Sequence, residues 1–123
     1  MSTDAFSTRE FRDALSSFAT GVTVVTCLDA NGEPVGATAS SFNSVSMDPP
    51  LILWSITKTA YSADAFINAK RFVVNVLSAE QMATSNQFAR SGTDKFADVE
   101  VEQGIGGVPT LPGAITFFEC EAW

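Results

Sequence analysis

The chain has 123 residues, the size of one domain, with 7 Lys and Arg against 14 Asp and Glu and a formal charge of −7. A pI near 4.3 argues against a nucleic-acid binder that works by neutralising phosphates, and no apolar run approaches the ~20 residues of a membrane-spanning helix. Hydrophobic residues make up 46% and charged residues 17%, which excludes a disordered chain.

The first element is a helix. Ser7 and Glu10 have capping-box spacing, Phe6 and Phe11 stand at staple positions, and Phe11, Leu15 and Phe18 make one apolar face up to Gly21. Val22 to Leu28 is β-branched and reads as a strand. Asn31-Gly32 supplies a turn that tolerates positive φ, and a second strand over Pro34–Ala39 completes a hairpin. Ser40 to Ser46 is hydroxyl-rich and reads as loop, and Asp48-Pro49-Pro50 stops any regular element. Leu51 to Ile56 is a strand apolar enough to be buried on both faces. A short helix over Tyr61 to Ala69 turns Ala65 and Phe66 inward, and Arg71 to Leu77 is the next strand. Ser78 and Gln81 repeat the capping-box spacing before a helix to about Ala89. Glycines and prolines crowd Gly104 to Gly113 as turns and close approaches, and Ala114 to Glu121 is a last strand. Mostly antiparallel strands with short helices between them predict a small closed or partly closed barrel, which removes unpaired edges.

The chain has no histidine, so His-based triads, His general bases and most zinc sites are excluded. Cys27 and Cys120 are far apart and set no disulfide framework, which fits a reducing cytoplasm, and the N-terminus lacks signal-peptide order. Any catalysis therefore falls to a borrowed cofactor, with no catalytic side chain and no metal expected. Gly36 to Ser46 combines small residues, which let a ligand approach the backbone, with hydroxyl donors. Taken alone, that pattern also describes an ordinary loop. Lys58 lies between hydroxyls just after a buried strand, where it is either a phosphate contact or a solvated surface lysine. Arg90 ends a helix, where it complements the dipole or meets an anionic ligand. Trp54, Phe42 and the other aromatics read first as core. Asn75 interrupts an apolar strand and must find partners if buried, so it is expected to brace a loop. Gly104 to Gly107 has no following helix and is not a nucleotide-binding glycine motif.

Taken in order, Phe11 to Thr26, Gly36 to Ser46, Pro49 to Leu51, Ser55 to Ser62, Arg71 to Val76, Gln87 to Ala89, Gly107 to Leu111 and Ile115 to Glu121 resemble the flavin reductase-like family. The resemblance covers nearly the whole chain. It implies one domain over residues 1–123, mainly β with short helices, an FMN-binding split β-barrel in a homodimer. It also implies FMN or FAD as cofactor, NAD(P)H as co-substrate, and a partner monooxygenase that receives reduced flavin by diffusion. Carried over to this sequence, Thr38, Ala39, Ser40 and Ser41 run past the flavin ring and ribityl chain. Ser55, Lys58 and Ser62 form the phosphate side, Trp54 and Ile56 flank the ring through their backbone, and Phe88 and Arg90 lie on the far side. Family members continue past Trp123 into a Gly-Asp-His stretch implicated in nicotinamide binding and into the last barrel strands. The expectation is therefore a C-terminally truncated barrel, with a non-catalytic flavin-binding module as the alternative to an active reductase.

Overall fold

The computed structural model describes residues 22–39, 41–90 and 95–122. The expected first helix, with its Ser7–Glu10 cap, lies outside the described residues, as does Ser40.

The hairpin forms as its sequence dictates. Strands β1 (Thr23–Leu28) and β2 (Pro34–Ala39) pair antiparallel from Thr23 with Ala39 to Leu28 with Pro34. Gly32 takes φ +78° in the turn, and the Asp29 carboxylate accepts from the Asn31 and Glu33 amides at 2.8 and 3.0 Å. Strand β3 (Asn43–Met47) is a correction to the loop expected there. It pairs with β4 (Pro50–Leu53), with a register irregularity between Ser44 and Ser46. Hydroxyl composition concealed a strand whose side chains are mostly exposed. Pro50 opens β4 rather than stopping it, because a first strand residue can lack an N–H. The second correction is to β4 itself, which ends at Leu53 and is at most half-buried, not covered on both faces.

Helix α1 (Ala63–Asn68) leads into β5 (Arg71–Val76). A 3-10 turn over Ala79–Gln81 then enters α2 (Met82–Phe88). The Gln81 side chain accepts from the Ser78 amide at 2.8 Å, the reciprocal arm of the expected capping box. Two-residue strands β6 (Glu102–Gln103) and β7 (Pro109–Thr110) pair within the Gly/Pro-rich segment, and β8 (Thr116–Glu121) follows.

The main sheet has the order β2-β1-β5-β8, all antiparallel. The chain is mainly β with short helices, as expected, and the sheet is open among the described residues, in line with the incomplete rather than the closed form of the barrel. The two central strands are covered on both faces, which is why Val24, Val25, Val73 and Val74 are all fully buried. Val24, Leu77, Phe88 and Leu111, with Phe96 and Val99, form the core on one side. Val25, Ala39 and Val74, with Phe42, Trp54, Phe66 and Phe72, form it on the other.

Asn75 braces a loop, as its position required. Its Nδ2 donates to the Val24 carbonyl at 2.8 Å, and its Oδ1 accepts from the Leu111 amide at 3.0 Å. Thr26 Oγ1 donates to the Pro109 carbonyl at 2.6 Å. These buried bonds fasten residues 109–111 to the sheet without leaving a polar group unpaired. Among the described residues no helix is long and apolar enough to cross a membrane.

Candidate functional site

Two sequence-predicted stretches meet at the end of β2. Ser41 Oγ accepts from the Ser55 amide at 2.8 Å and donates to the Ser55 carbonyl at 3.2 Å. One hydroxyl therefore satisfies both backbone groups of a residue 14 positions away. The hydroxyl-rich segment and the segment leading to Lys58 thus form one surface, in which the Ser41–Ser55 bonds continue the β3–β4 pairing past Asn43 and Leu53.

The hydroxyls here brace the chain more than they offer donors to solvent. Thr38 Oγ1 donates to the Ser85 carbonyl of α2 at 2.6 Å. Ala39 is 8% exposed, and its carbonyl accepts from Thr23 Oγ1 at 2.6 Å. Trp54 turns its ring into the core, edge-on to Phe66 with centroids 4.9 Å apart. Its neighbour Ser55 is exposed and Ile56 half-buried, an alternation that leaves the backbone of 54–56 along the surface. Lys58 is exposed in a turn closed by the Ala60 amide on the Thr57 carbonyl at 2.9 Å. Ser62 precedes α1, is 7% exposed and makes no side-chain cap bond to that helix. An exposed ammonium and a hydroxyl not spent on capping are each donors of the kind a phosphate takes, four residues apart in the chain.

The structure does not gather every predicted residue. Phe88 is fully buried, its ring edge-to-face on Phe96 with centroids 4.9 Å apart, so it packs the core and presents no surface to a ligand. Arg90 is exposed just beyond α2. A cavity of about 630 Å³ lies between the hairpin, the approach to α1 and residues 95–97. Of the predicted residues that are described, only Ser62 lines it.

Lys95 on that cavity wall was missed by sequence reasoning. Its ammonium donates to the Gly36 carbonyl at 3.0 Å, and burial lowers its pKa from the usual lysine value. The available signal was Gly36 itself, since a glycine inside a strand marks a close approach. A Cβ there would lie 2.6 Å from the Phe88 ring.

Residues 15–123 match the family described as flavin reductase like domain. An FMN reductase (NADH) of Agrobacterium fabrum is 48% identical over 91% of this chain and 63% of its own length. The reductase component of a flavin-dependent trigonelline monooxygenase of Acinetobacter baylyi is 44% identical over 94% of this chain and 37% of its own length. The chain thus spans less than two thirds of these relatives. A Streptomyces globisporus NADH:FAD oxidoreductase, solved in complex with NAD and FAD fragments, superimposes with a TM-score of 0.81. That structure is 38% identical and covers 92% of this chain and 68% of its own.

Proposed function

The chain belongs to the flavin reductase like family, and from that premise we propose that it binds FMN or FAD for reduction by NAD(P)H. The reduced flavin would pass to a partner monooxygenase, with the chain acting as a cytoplasmic homodimer. The observation that carries the reading is the Ser41–Ser55 pair, which unites the backbone of 38–41 with that of 54–56 beside an exposed lysine.

The chemistry the flavin supplies when bound is acceptance of a hydride at N5 from nicotinamide C4. The chain's own residues bind and orient. Thr38 and Ser41 hold the chain on either side of Ser40 in place through their hydroxyls. The backbone of Trp54, Ser55 and Ile56 offers amides and carbonyls to a polar ring edge. Lys58 and Ser62 take the phosphate, and Arg90 adds a second cation. No side chain moves a proton in this scheme, in keeping with a chain that has no histidine.

Flavin fluorescence on titration with the chain tests this. We expect quenching, with FMN bound more tightly than riboflavin. Lys58→Ala should weaken FMN by about tenfold, the worth of one charge-assisted hydrogen bond, and leave riboflavin unchanged. A chain that quenches neither flavin is not a flavin reductase. Adding NADH to the flavin-bound chain separates turnover from storage, since binding without nicotinamide oxidation selects a flavin-carrying module.

A further inference from the structure

We infer that Lys95 is a positioning residue for the flavin segment: its bond to the Gly36 carbonyl fixes the outer part of β2, so that residues 38–41 are presented in place. The inference rests on the reading of 38–41 as flavin-binding.

Among the described residues strand β2 ends the sheet order, so one side of its backbone meets no further strand there. Lys95 Nζ, 59 positions along the chain, supplies a donor to it at Gly36. Two further ties reinforce this one. Thr38 Oγ1 is bonded to the Ser85 carbonyl, and the Phe88–Phe96 pair closes on Gly36 so tightly that no Cβ fits. The turn that carries Lys95 is itself held, because Gln87 Nε2 donates to the Lys95 carbonyl and to the Ala97 carbonyl. A continuous set of contacts thus runs from α2 through 95–97 to Gly36, and then two residues along β2 to Thr38. A half-buried ammonium carries a solvation cost, which is why lysine heads usually stay in water. Here the head instead reaches a backbone acceptor at the start of the proposed site.

The test compares Lys95→Met, which keeps an apolar stem and removes the ammonium, with Lys95→Arg, which keeps a charged donor. Dissociation constants for FMN and for riboflavin are measured by fluorescence quenching, and thermal midpoints by circular dichroism. We expect the Met variant to bind FMN about fivefold more weakly, the worth of one hydrogen bond, with its midpoint no more than about 5 °C below the parent. Because Lys95 acts through the backbone, riboflavin should lose the same factor. Lys95→Arg should restore most of the affinity.

Unchanged affinity in the Met variant overturns the inference while leaving the proposed function standing. A loss confined to FMN makes Lys95 a phosphate contact and overturns the positioning role. A weakened Met variant that Arg does not rescue, and whose midpoint falls in step, marks a general fold defect and also overturns it. A parent chain that binds neither flavin removes the proposed function and the inference together.

Discussion

At the scale of single residues, the buried polar groups of the central strands are decided by what they can reach. Asn75 succeeds because Val24 and Leu111 present a carbonyl and an amide at bonding distance. Cys27 has no such use. It is fully buried in β1, and burial together with the nearby Asp29 charge pushes its thiol up to about 12 from 9.0. A pKa raised on folding means the unfolded chain releases this proton first, so the stabilising contribution is intact below pH 9 and is lost as pH rises toward 12. We expect the urea midpoint of the parent to fall across that window more steeply than that of Cys27→Ala. Parallel midpoints in the two proteins would show that the thiol does not titrate differently in the folded state.

At the scale of elements, β2 is gripped from both flanks, by β1 through the ladder and by α2 and residues 95–97 through side chains. Gly36→Ala tests that grip. The added methyl meets a ring that is packed in the core and cannot swing away, so the expected cost is about 1–3 kcal/mol by chemical denaturation. A neutral substitution would mean that Phe88 can yield. The hairpin was legible in the sequence because each signal there is local, from the β-branched run to Asn31-Gly32. The role of Asn75 was legible because an amide in an apolar strand has few solutions. Strand β3 was not, since its hydroxyls resemble loop composition and its pairing with β4 is set by neighbours rather than by propensity. The same limit hid the use of the Thr38 and Ser41 hydroxyls. Composition identifies a donor but not the carbonyl it meets, and here Ser85 and Ser55 take them before a ligand can. The resemblance places Phe88 beside a ligand, whereas tertiary packing turns it into the core against Phe96. Gly36 signals a close approach but not which residue makes it, because the Lys95 donor lies 59 residues away.

At the scale of the molecule, the sheet has two unlike margins. The β2 margin is covered in part by α2 and residues 95–97, whereas β8 leaves large apolar groups in solvent. Ile115, just before β8, is 70% exposed, and Phe117 and Phe118 are 40% and 39% exposed. Phe118 also lies against Phe42 with centroids 5.2 Å apart, which continues the apolar surface toward the β3–β4 hairpin, where Met47 is 87% exposed. A surface of this kind favours association with a second copy. Sedimentation should therefore give a dimer mass for the parent, and Phe117→Ser with Phe118→Ser should shift it toward the monomer. A parent that sediments as a monomer at all concentrations would remove the homodimer from the proposal.

The packing of Trp54 has an optical consequence. The chain holds two tryptophans, Trp54 and Trp123. Trp54 is wedged edge-on to Phe66 while its backbone runs along the proposed flavin surface. With Trp123 replaced by Phe, the remaining indole becomes a fixed donor beside a strongly absorbing acceptor. On the proposed function, its emission then serves as a built-in gauge of flavin occupancy that needs no label.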